Sequence, residues 1–87
     1  MSPPGPASPH RVAILVYPGI HALSVVGPMD TLEAANLALQ AEGRPPAYEI
    51  RVVAPAAGPV TASSGLSLNA DAAIADVGPA DTIIVAG

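Results

Sequence analysis

The sequence predicts an open α/β fold with a mostly parallel sheet. Residues 11–17, RVAILVY, form a continuous apolar run rich in β-branched side chains. Its length suits a strand, and its lack of alternation suggests burial on both faces, as in a parallel sheet. Residues 28–41, PMDTLEAANLALQA, place Leu32, Ala35, Asn36 and Leu39 at helical spacing, with Asn36 an imperfection. Two more apolar runs follow, YEIRVVAP at 48–55 and DTIIVAG at 81–87. Strands alternating with a helix point to parallel strands joined by right-handed crossovers.

Composition narrows the function classes. The chain has 87 residues, 51% of them apolar, with two Tyr and no Phe or Trp. Ala supplies much of that apolar content, so the expected core is thin. Three Arg, no Lys and seven acids give a net charge of −4. This balance argues against nucleic-acid binding by these residues, which needs a basic footprint. The absence of Cys removes disulfides, thiolate metal sites and a Cys nucleophile from this stretch. No apolar run approaches the ~20 residues of a membrane span, and no export signal stands at the start. The expected location is cytoplasmic.

Taken in order, residues 1–10, MSPPGPASPH, read as a disordered Pro/Ser-rich leader. Residues 11–87 read as the N-terminal part of an α/β domain. Pro18-Gly19 ends the first strand. Gly43 stops the helix, and Pro45-Pro46 blocks its continuation. Residues 58–71, GPVTASSGLSLNAD, alternate around a Ser-Ser-Gly turn and predict a small hairpin. AAIADV is expected to form a helical turn, and 81–87 a third buried strand. Such a sheet needs helices on both faces, yet one substantial helix is present. The fold is therefore expected to be incomplete at its C-terminus and poorly packed in isolation.

The stretch YPGIHALSVVGPMD, residues 17–30, is the most informative. In open α/β sheets, ligands bind beyond the carboxyl ends of the strands. Tyr17, Pro18, Gly19 and His21 follow the first strand, and Gly87 ends the third. Gly27-Pro28 allows two readings. Either the helix starts at Pro28, with Asp30 and Glu33 near its positive end, or it starts near His21 and is kinked there. In the second case Pro28 has no N–H for the Ser24 carbonyl, and Ser24 projects near the strand ends.

Together, RVAILVYPGIHALSVVGPMDTLEAAN, YEIRVVAPAAGPVTASSGLSLNAD and DTIIVAG resemble the ThiJ/PfpI-like branch of the class I glutamine amidotransferase-like superfamily. The pattern most resembles the ligand-sensing domain at the N-terminus of AraC-type transcriptional regulators, and it is also similar to isonitrile hydratases of the branch. The resemblance covers residues 11–87. The ordered combination of YPG, GP-x-D, SSGL and DT-apolar-AG carries it. It implies a flavodoxin-like α/β sandwich, usually dimeric. It also implies that the family's catalytic Cys follows residue 87, supported by an acid that aligns with Ser24. The family's Gly pair after the third strand is represented by Gly87.

A Ser hydroxyl cannot act as a carboxylate does at neutral pH. No catalytic residue is therefore assigned within the chain. The resemblance implies a sensor whose small-molecule ligand occupies a crevice near Tyr17, Gly19, Ser24 and Gly87. A homodimer is expected in the full-length protein, with DNA contacted only through a helix-turn-helix module outside these residues. The alternative is an enzyme of the same branch, an isonitrile hydratase-like lyase or a peptidase-like hydrolase. A third option is a stand-alone chain whose exposed sheet pairs with a partner. His10 and His21 lack partners at metal-ligand spacing, so no metal is expected. No Walker or GxGxxG pattern calls for a nucleotide, and no cofactor is expected. Ser63-Ser64-Gly65 reads as a turn rather than as a nucleophile or a phosphate nest. Asp30 reads as a helix-start charge, and Asp71, Asp76 and Asp81 as solvated or capping residues.

Overall fold

A computed structural model describes residues 9–87. Residues 1–8, most of the expected leader, lie outside the described residues, and His10 already belongs to the first strand. The elements are β1 (His10–Leu15), α1 (Ala22–Ala41), β2 (Tyr48–Ala54), β3 (Gly58–Thr61), β4 (Ser67–Ala70), β5 (Ala72–Ala73), a 3-10 turn at Ile74–Asp76 and β6 (Thr82–Val85).

β1 is central. It pairs in parallel with β2, Ile14 opposite Val52, and with β6, Ile14 opposite Ile84. The short β5 adds to the far side of β2, giving the parallel order β5-β2-β1-β6. β3 and β4 form a separate antiparallel hairpin, as the alternating residues around Ser63-Ser64-Gly65 predict. This is the flavodoxin-like α/β arrangement expected from the sequence.

The core lies on one side of this sheet. Alternation along a strand puts Val12, Ile14 and Val16 on a single face. They pack with Val52, Ala54 and Ala86, with Ile20 and Val25 from the α1 side, and with Val60, Ala62 and Ala70 of the hairpin. The other face carries Arg11, Ala13, Leu15, Arg51, Val53, Ile83 and Val85. Ala13 and Val53 are buried there, but Ile83 is 59% and Val85 68% exposed. The expectation of a third strand buried on both sides therefore fails for β6. Its pairing with β1 is as expected, but among the described residues no layer covers its outer side chains.

The helix takes the longer of its two readings. It runs from Ala22 with Pro28 inside it. An internal Pro costs about 3 kcal/mol in an ordinary helix. Here the turns before it bury Val25 and half-bury Ala22. That burial offsets part of the cost, at roughly 1.5–3 kcal/mol for a fully buried aliphatic side chain. Asp30 consequently sits in the middle of α1 and does not mark its start. The C-terminus follows the expectation. Gly43 has φ +72°, its N–H donates to the Gln40 carbonyl, and the Arg44 N–H donates to the Leu39 carbonyl. This is the Schellman pattern that glycine favours. The segment expected as a helical turn instead begins with β5 before its 3-10 turn.

Candidate functional site

The carboxyl edge of the sheet is where the β1–α1 loop, the start of α1 and the tip of the hairpin meet. The loop is held in place by backbone bonds. Gly19 N–H donates to the Thr61 carbonyl at 2.8 Å, and Ser63 N–H donates to the Ile20 carbonyl at 2.9 Å. Gly19 adopts φ +85°, a left-handed conformation that side-chain-bearing residues resist. The turn lets Ile20 return to the core, where it is fully buried.

The structure places each expected site residue on this edge. Tyr17 and Gly19 lie exposed in the loop after β1. Ser24 lies in the first turn of α1, half-buried, its N–H donating to the His21 carbonyl at 3.0 Å. Gly87 follows β6, whose Val85 stands opposite Leu15 in the register with β1. The loop after β1 and the residues after β6 thus leave neighbouring strands at the same end. Pro28 has no N–H to offer the Ser24 carbonyl, so that acceptor lacks its usual intrahelical partner.

Two residues on this edge escaped the sequence reading as a pair. Ser63 Oγ lies 3.3 Å from His21 Nδ1, across 42 residues of chain. His21 also occupies the N-cap position of α1 without capping it through its side chain. No local spacing signals this meeting, because the hairpin fold creates it.

Cavities lie elsewhere. One of about 190 Å³ is lined by Arg11, Ala13, Glu49, Arg51, Pro79 and Ala80, at the amino half of the open face. One of about 290 Å³ lies between the end of α1 and the start of β1, against Leu39, Arg44 and Pro46. Neither is lined by Tyr17, Gly19, Ser24 or Gly87. The first holds two of the three Arg, each with an acid nearby: Arg11 is 3.7 Å from Asp81 and Arg51 is 3.4 Å from Glu49. Among the described residues, no group of three or more His, Cys, Asp or Glu could hold a metal.

Solved structures share this fold. The chain superimposes on an AraC family transcriptional regulator from Pseudomonas putida with a TM-score of 0.73 and 25% identity, covering 91% of this chain and 47% of that one. It matches DJ-1beta of Drosophila melanogaster with a TM-score of 0.73 and 16% identity, covering 92% of this chain and 39% of the other. The chain is ThiJ/PfpI-like in its fold. No family model matches it. An uncharacterised protein in the cpoL 5' region of Streptomyces lividans is 32% identical over 81 residues. That alignment covers 93% of this chain, and the chain spans 53% of the relative. The described residues include the parallel strands and the crossover helix between β1 and β2. No helix among the described residues is long and apolar enough to cross a membrane.

Proposed function

We propose that this chain belongs to the ligand-sensing domain of an AraC-type transcriptional regulator. The observation that carries the reading is the likeness to the Pseudomonas regulator, at 25% identity across 91% of the chain. Two sequence features support it. Ser24 stands where the family's enzymes carry an acid, so the position offers a neutral hydroxyl to a ligand and no base to a thiol. The net charge of −4 suits a module that leaves DNA contact to another part of the protein.

In this reading a small molecule sits at the carboxyl edge, against Tyr17, the Gly19 turn, Ser24 and the Gly87 end. The protein acts in the cytoplasm as a homodimer. Ligand occupancy biases a helix-turn-helix module that these residues do not include.

The test uses the native gene product that contains these residues. It is purified and assayed for a shift of DNA taken from upstream of its own gene, with and without a panel of small metabolites. Metabolite-dependent binding of that DNA is the expected result. A native protein that ignores this DNA and hydrates isonitriles overturns the reading in favour of the enzyme.

A further inference from the structure

We infer that Ser63 and His21 form an acyl-accepting pair, with Ser63 the nucleophile and His21 its base. The proposal is independent of the sensor reading and concerns a different pair of side chains. Ser63 Oγ and His21 Nδ1 are 3.3 Å apart. Nucleophile–base pairs in unliganded sites commonly show this somewhat loose separation. When the ring proton is on Nε2, the Ser63 hydroxyl donates to Nδ1, which is the arrangement that proton abstraction requires.

The pair is held by the backbone on both sides. Ser63 N–H donates to the carbonyl of Ile20, the residue before His21. Gly19 N–H is bound to Thr61, two residues before Ser63. The hydroxyl and the ring are thus registered by main-chain bonds and do not depend on long flexible side chains. Both residues are exposed, so an acyl donor can reach them. His21 also occupies the N-cap position of a helix of 20 residues, whose first N–H groups, those of Ala22 and Leu23, donate to no acceptor among the described residues. These donors stand at the positive end of the helix that begins beside His21.

The reaction is a transfer to Ser63 from a small activated ester. Ser63 Oγ attacks the ester carbonyl carbon while His21 Nδ1 takes the hydroxyl proton. The tetrahedral intermediate collapses, the bond to the leaving oxygen breaks, and His21 returns the proton to that oxygen when it leaves as an alcohol. The products are O-acyl-Ser63 and the free alcohol, with no change of oxidation state. Within the described residues no carboxylate bonds the other ring nitrogen of His21. The pair lacks the third member that orients the base in efficient hydrolases. Single acylation is therefore the expected outcome, with little turnover.

The experiment treats the intact protein with p-nitrophenyl acetate, follows nitrophenolate release, and maps the acetyl group by tandem mass spectrometry. Acetylation is expected at Ser63 in preference to Ser64 and Ser67. Ser63→Ala should abolish the label there. His21→Gln retains a side chain able to hydrogen-bond but removes the base, and should slow labelling by on the order of a hundredfold. Circular dichroism confirms that each variant folds. Labelling spread evenly over the serines, or a His21→Gln protein that reacts at the wild-type rate, would overturn the proposal.

Discussion

Asp81 and Arg11 are joined twice through the backbone: Asp81 N–H donates to the Arg11 carbonyl at 2.9 Å, and the Asp81 carboxylate accepts the Arg11 N–H at 2.8 Å. The carboxylate stands where the next carbonyl of a parallel ladder would stand. Asp71 does the same for Val52, with distances of 2.7 and 3.0 Å. One Asp therefore precedes each edge strand, β5 and β6, and fastens it to its inner neighbour. The residues read from sequence as punctuation start strand pairing.

This arrangement makes stability depend on pH through Asp81. The Arg11 backbone N–H, helped by the charges of Arg11 and His10, holds the Asp81 carboxyl below the ordinary carboxylate value. A depressed folded pKa adds stability above the unfolded pKa, and that stability is lost as pH falls through the folded value. Thermal unfolding midpoints should therefore fall on acidification in the wild type. The curve for Asp81→Asn should be lower near neutrality and should approach the wild-type curve at low pH. Parallel curves at all pH values would show that the carboxylate charge contributes nothing.

Asn36 is expected to matter more than its place in a helix suggests. Its amide donates to the Tyr48 carbonyl at 2.8 Å, and its carbonyl oxygen accepts the N–H groups of Ala47 and Tyr48 at 3.0 Å. The side chain ties α1 to the first residue of β2. Asn36→Ala leaves these half-buried backbone groups without their partner, at a cost of about 1–3 kcal/mol. Urea unfolding should show that loss as a lower midpoint with an unchanged slope. Asn36→Leu improves the apolar periodicity and should still destabilise. A neutral Asn36→Leu would mean that periodicity outweighs the tie.

These two cases show what the sequence made legible. The strands were readable because runs such as VAILV and IIV have one solution in a parallel sheet. The Gly43 stop was readable because its requirement is local. The helix start was ambiguous because Gly27-Pro28 opposes a helix locally, while the burial of Val25 and Ile20 is a tertiary term. Asn36 looked like a flaw because periodicity registers polarity and cannot see a backbone that needs a partner. The meeting of Ser63 with His21 depends on the hairpin folding onto the first loop. On the candidate site, the sequence identified the sheet edge that these loops share, but not this side-chain pair.

Gly19 offers a test of the loop that carries the candidate site. A Cβ built there meets no atom within 4 Å, so space is not the constraint, whereas φ is +85°. Gly19→Ala should cost about 1–2 kcal/mol from the left-handed backbone alone. Gly27→Ala, at a helical glycine with equally open space, should gain about 0.5–1 kcal/mol. Opposite signs for two Gly-to-Ala changes in one unfolding series would confirm that the loop conformation is held against a local preference. A neutral Gly19→Ala would show that the loop relaxes.

The open face of the sheet sets the behaviour of the 87-residue chain on its own. Parallel sheets are stable when both faces are covered. Here Ile83 and Val85 project from a strand at 59% and 68% exposure, with no further strand among the described residues pairing its outer side. Exposed apolar side chains on a free edge invite association. The isolated chain should bind a hydrophobic dye, unfold over a broad range and sediment as a concentration-dependent mixture. Ile83→Lys with Val85→Lys should lower dye binding and shift the mixture toward monomer without disturbing the core face, because alternation keeps Ile84 on the opposite side. A wild-type chain that is monomeric at all concentrations, unfolds sharply and binds no dye would mean that one covered face is enough.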